Sequence, residues 1–141
     1  MANEFVITAG ISLTVAEGSG NRQIRTAPMQ FLADLEDMRG PTPGHLLVAV
    51  TGTDVSLAQL ATPGFCRIQN LDITNYVTVG IYDGASYFPL MEVGPEEFYV
   101  IKLYRFLGSE FVGTGTPADV NTLRLMANTA ACKVLVEAFN R

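Results

Sequence analysis

One histidine, two cysteines and no tryptophan leave this chain poor in the side chains that most enzyme chemistry needs. The lone imidazole, His45, has no second one to help it hold a metal or relay a proton, and it follows Pro43-Gly44, the setting of a loop or strand edge. No serine stands in a G-x-S-x-G elbow; Ser12, Ser19, Ser56, Ser86 and Ser109 all fall in strand-like or turn-like surroundings. Cys66 and Cys132 lie far apart in apolar, β-like runs, which suits small buried hydrophobes better than metal ligands. The residues therefore predict no catalytic, cofactor-binding or metal-ligating set, and no enzyme.

Charge is scarce too. Charged residues make up 16% of the chain, well below the roughly 25% of an average soluble protein, so much of the surface must be uncharged. The net charge is −5, and the nine basic residues are scattered without forming a stripe. Because Lys and Arg neutralising phosphates supply most nucleic-acid affinity, direct binding to DNA or RNA is not expected. No apolar run reaches 18 residues, and no basic region precedes an apolar stretch in Met1 to Gly10, so neither a membrane span nor a secretory leader is predicted. With 48% hydrophobic residues, apolar surface beyond what one core can hold would be buried against partner subunits.

What is present reads as strand after strand. Glu4 to Ala16 alternates, with Phe5, Ile7, Ala9, Ile11, Leu13 and Val15 on one face, and predicts one long strand. Glu17 to Asn21 supplies a turn, and Met29, Phe31, Ala33 and Leu35 resume the alternation, completing a long hairpin; Phe31 to Met38 also fits a short helix. Two prolines and two glycines in Arg39 to Gly44 predict a loop. Further strands are expected at His45 to Thr51, Val55 to Leu57, Phe65 to Leu71, Tyr76 to Tyr82, Tyr87 to Val93 with an interruption at Pro89, Phe98 to Tyr104, Thr122 to Ala127 and Ala131 to Phe139. The Gly- and Thr-rich stretch from Phe106 to Asp119 predicts an exposed loop. The turn rhythm is meander-like, with Phe65 to Leu71 and Tyr76 to Tyr82 expected side by side.

The sum is a single all-β domain over residues 1–141: an antiparallel, jelly-roll-like sandwich at 45–139 preceded by an N-terminal hairpin or arm at 1–38. Asn70, Asp72, Thr74 and Asn75 are expected to hold a structural corner by bonding to nearby backbone, with a cation site at Asn70, Asp72 and Asn75 as the alternative. The acidic pairs Glu36-Asp37 and Glu96-Glu97 flank turns and read as solvated charge. The arm residues Phe5, Ile7, Ile11 and Leu13, with Tyr87 and Tyr99 from an aromatic-rich stretch, are the candidate interface, since a tyrosine on an outer face buries a ring while keeping its hydroxyl wet.

The segment TPGFCRIQNLDITNYVTVGIYDG, followed by FPLMEVGPEEFYVIKL and ending in LRLMANTAACKVLVEAF, resembles small virion proteins of tailed bacteriophages. Asn70, Leu71, Asp72, Thr74, Asn75, Tyr76, Val77, Val79 and Gly80 carry the pattern, with Pro95, Glu97, Lys102 and Leu103 behind them; Gly94-Pro95-Glu96 replaces that pattern's Pro-Gly-Glu order. The resemblance spans Thr62 to Phe139 and implies assembly: a head decoration or cement protein on the outer surface of the virion, often a homotrimer, that clamps the major capsid protein. A tail or neck component such as a tube, terminator or spike, and a carbohydrate-binding jelly-roll module, are the alternatives.

Overall fold

The computed structural model describes residues 4–17, 20–34, 40–60, 63–103 and 122–140, and among them the chain is all-β, with four antiparallel sheets and no helix. The chain divides into two compact units, Met1–Glu36 and Asp37–Arg141.

The first unit is a hairpin in two ladders. Strand β1 (Glu4–Ala9) pairs with β4 (Met29–Asp34), and β2 (Ser12–Glu17) pairs with β3 (Gly20–Arg25). The expected single long strand is thus broken at Gly10 and Ile11. Between the pairs Ala9↔Met29 and Ser12↔Arg25 the first leg has Gly10 and Ile11, whereas the returning leg has Thr26, Ala27 and Pro28. That extra residue answers a change in the sequence itself. Apolar residues of the returning leg stand at an even position, Ile24, before the break and at an odd one, Met29, after it, so one additional residue sets Ile24 opposite Leu13 and Met29 opposite Ala9. Thr26 bridges the gap: its N–H donates to the Ile11 carbonyl and its hydroxyl accepts from the Ile11 N–H, both at 2.9 Å. The helix alternative fails over Met29–Asp34, which is strand; Leu35 to Arg39, with Glu36 and Asp37, lie outside the described residues.

The second unit contains two four-stranded sheets. One has the order β10 (Phe98–Lys102), β7 (Pro63–Asn70), β12 (Cys132–Asn140), β5 (Thr42–Val48); the other has the order β6 (Thr53–Asp54), β11 (Thr122–Ala127), β8 (Val77–Tyr82), β9 (Tyr87–Val93). Alternate residues of both meet in one core: Val48, Cys66, Ile68, Val134 and Val136 from the first, Val77, Val79, Val93, Leu123 and Leu125 from the second. The period-two pattern was a reliable guide here, since Val77, Val79 and Ile81, Leu123 and Leu125, and Cys132, Val134, Val136 and Ala138 are all buried as their alternation requires. Both cysteines are free and buried, and burial pushes the Cys66 thiol up to about 12.

Three expectations are corrected. Strands β7 and β8 are not neighbours but lie in different sheets, so the chain between them crosses from one layer to the other. The connections β5–β6, β6–β7, β9–β10 and β11–β12 cross likewise, and β8–β9 is the only ladder between successive described strands of this unit; the connectivity is not a meander. Alternation reports which face is buried but not which strand lies alongside, because every inward residue meets the same core. Residues Thr42 to Gly44 belong to β5 instead of a loop. Pro43 is tolerated because β5 is an edge strand, paired with β12 on one side alone, where a missing N–H breaks no ladder. The stretch from Tyr104 to Asn121, including the expected Gly-rich loop, lies outside the described residues.

Gly80 is the position where the β8–β9 pair has no room for a side chain. A methyl there would collide with the Phe88 carbonyl oxygen and come within 2.7 Å of the Tyr87 ring, which lies across the glycine so that its hydroxyl donates to Thr78 Oγ1 at 3.0 Å. Gly80→Ala is therefore expected to destabilise the fold by about 1–3 kcal/mol, read as a lower urea midpoint with unchanged slope; an unaltered midpoint would contradict this packing.

Candidate docking surface

The corner at Asn70 to Asn75 is built from side chains that replace missing backbone partners. Asn70 ends β7 completely buried. Its Nδ2 lies 2.7 Å from the Asn75 carbonyl, 3.1 Å from that of Gly94 and 3.2 Å from that of Val93, while its Oδ1 accepts the Asp72 N–H at 3.0 Å. Asp72 continues the turn: one carboxylate oxygen accepts the N–H groups of Thr74 at 2.8 Å and Asn75 at 2.7 Å. These bonds, from Asn75 first and Thr74 second, hold the Asp72 carboxyl below its ordinary 3.8. Asn75 Oδ1 in turn accepts from the Thr129 hydroxyl.

Backbone bonds tie this corner to two further turns at the same end. Asn70 N–H donates to Glu97 O, Glu96 N–H to Asp72 O, Leu71 N–H to Lys133 O and Asn128 N–H to Tyr76 O. Within the β9–β10 turn the Glu97 carboxylate accepts the Gly94 N–H at 2.9 Å, so this acid braces a turn as well as facing solvent. Asn70, Asp72, Thr74 and Asn75 are thus brought together: the Asn70 and Asp72 side chains bond to backbone, and the Asn75 side chain bonds to those of Asp72 and Thr129.

Beside the exposed Thr74, the corner presents several apolar side chains outward. Ile73 is 78% exposed, Leu71 and Tyr76 are also exposed, and Phe98 opens β10 at the same end. A rigid polar frame displaying uncovered apolar side chains is suited to docking against a protein surface, because little ordering entropy remains to be lost on binding. In the hairpin unit Ile11 and Leu13 are exposed and Ile7 is partly buried; Phe5 stands opposite Ala33 in the ladder, and its side chain lies outside the described part. Tyr99 is exposed on β10, whereas Tyr87 is half-buried within its own sheet.

Other candidate chemistry is dispersed. His45 is exposed on β5, opposite Leu135. Among the described residues no group of three or more His, Cys, Asp or Glu converges on a point. A cleft of about 290 Å³ is lined by Gly40, Pro41, Thr42, Gln59 and Leu60, and its two polar side chains bond to each other, Thr42 Oγ1 donating to Gln59 Oε1 at 3.2 Å. One feature had no signal in the sequence: Arg124 lies over the Tyr82 ring at 3.3 Å and forks onto both carboxylate oxygens of Asp54, an arrangement made between strands far apart in the chain. No family model, no curated protein and no solved structure matches this chain.

Two outcomes follow from the corner. Asn70→Ala removes a buried carboxamide and leaves several carbonyls and the Asp72 N–H without it, so a loss of about 2–4 kcal/mol in urea unfolding is expected. Asp72 has a depressed carboxyl in the folded state, so its contribution is complete above pH 3.8 and is lost as pH falls below that value. Thermal melts should therefore show a steeper acid-side loss for the wild type than for Asp72→Asn, and equal slopes would contradict this role.

Proposed function

We propose that this chain is a structural protein of a tailed-phage-type particle, a decoration or cement protein on the outer surface of the head that binds the major capsid protein and holds neighbouring subunits together. In this role the second unit is a jelly-roll-like sandwich and the first unit is an arm. Its work is cohesion and not catalysis, and it calls for no cofactor, nucleic acid or membrane. Its partners are the major capsid protein and further copies of itself, as a homotrimer.

The observation that carries the proposal is the pairing of a corner braced by the Asn70 and Asp72 side chains with exposed Leu71, Ile73 and Tyr76. A group that must transform a substrate needs polar atoms aimed outward, whereas a clamp needs apolar side chains held in fixed positions. The resemblance of residues 62–139 to phage virion proteins supports the same reading, as does the division into a hairpin unit and a sandwich unit.

Particles assembled without this chain should lose resistance to heat and osmotic shock, and adding the purified protein back should restore it. Ile73→Asp, at a position too exposed to disturb folding by more than about 0.5 kcal/mol, should bind such particles roughly tenfold or more weakly. Unchanged resistance in particles lacking the chain would overturn the proposal, and attachment to the tail instead of the head would move the role to a tail or neck component.

A further inference from the structure

Among the described residues four strands form the edges of the two sheets in the second unit, and three of them are blunted. Strand β5 has Pro43 in its run, β6 is two residues long, and β9 carries Pro89 and a bulge at Leu90, where the pairing slips from Val79↔Met91 to Gly80↔Pro89. Such devices keep a row of unpaired N–H and C=O groups from recruiting another strand. The fourth edge, β10, has none of them: Phe98-Tyr99-Val100-Ile101-Lys102 contains no proline, glycine or bulge, and its one charge is at the far end.

The core beside β10 is unfinished as well. Tyr99 stands opposite Ile68, which is buried, so Tyr99 lies on the core side of its sheet, yet it is 44% exposed. On the facing sheet Phe88 stands opposite buried Ile81 and is 53% exposed. Two core-side aromatics are thus open along the same border of the sandwich, the border formed by edges β9 and β10.

The hairpin unit has the complementary deficiency. It consists of two-stranded ladders, which are marginal in water unless an apolar face is covered, and the cross-strand pair Leu13↔Ile24 is exposed at both residues. The opposite face carries Ser12↔Arg25 and Thr14↔Gln23 and is polar. Strand β3 has arginines at 22 and 25 and no acid, while the turn that leads into β10 has Glu96 and Glu97.

We propose that strand β3 of a second copy of this chain adds to the open edge of β10, extending the four-stranded sheet with the hairpin of the neighbouring molecule. The direction is antiparallel, because that places Arg25 beside the Glu96-Glu97 turn and uncharged Asn21 opposite Lys102; the parallel direction would set Arg25 against Lys102. With Arg25 opposite Phe98, Ile24 stands opposite Tyr99, and one apolar row then runs Leu13, Ile24, Tyr99, Ile68, Val136 across five strands, closing the core at Tyr99. This self-association does not depend on the particle assignment above.

The test uses the full-length isolated chain, without particles. Sedimentation equilibrium at micromolar concentration should give a multimer, and Tyr99→Asp and the double variant Leu13→Asp/Ile24→Asp should each weaken association roughly tenfold or more, with the β-sheet circular dichroism unchanged. In the variant Ile24→Cys/Tyr99→Cys, a mild disulfide-forming oxidant should produce covalent multimers, since directly opposed positions lie within disulfide reach. A monomeric wild type, a disulfide that forms only within one chain, or a multimer indifferent to both sets of aspartates would overturn the inference. None of these results bears on whether the protein binds the head, which the particle experiment decides separately.

Discussion

Asn70 stands where the chain leaves one sheet for the other, and a buried carboxamide at that point has to satisfy both layers at once. Its donors reach carbonyls of Asn75, Val93 and Gly94, and its acceptor takes the Asp72 N–H. A two-layer β fold has its weakest backbone accounting at such crossings, because a chain that switches sheets gives up ladder partners on both sides. Here one side chain joins the end of β7, the corner, and the β9–β10 turn into a single hydrogen-bonded unit, and Asp72 completes it. The two four-stranded sheets close over a core made mostly of valines, leucines and isoleucines.

That internal satisfaction explains the character of the surface. With the Asn70 side chain committed inward, the exposed side chains of the corner are Leu71, Ile73, Thr74 and Tyr76, and a chain with only 16% charged residues has little else to place around them. The same economy of charge appears along β10 and across the hairpin's Leu13–Ile24 pair. Exposed apolar groups held on fixed strands are costly in an isolated monomer and useful in an assembly, where burial against a neighbour returns roughly 25 cal/mol per Å². The proposed self-association through the hairpin and the proposed attachment through the corner would use separate sets of these residues.

Much of this was legible in the residues. Period-two alternation named the buried members of β8, β11 and β12, and of the expected corner residues Asn70 and Asp72 bond through their side chains to backbone. Four things were not legible, each for a physical reason. The partner of a strand is not encoded in its own alternation, so β7 and β8 read as neighbours although they lie in opposite layers. Proline excludes a residue from a central strand but not from an edge, and whether Pro43 sits at an edge depends on long-range pairing. The break in the first strand comes from a mismatch between two legs of a hairpin, visible only once Ile24 and Met29 are set against Leu13 and Ala9. The Arg124, Asp54 and Tyr82 cluster was hidden for the same reason.

Cryo-microscopy of the native particle tests the central claim most directly, that the uncovered apolar side chains of this protein join subunits of a viral shell. Density for the chain is expected on the outer surface of the head, with the Leu71–Tyr76 end seated on the major capsid protein. Density confined to the tail, or a head in which that end faces solvent with no neighbour against Ile73, would contradict it.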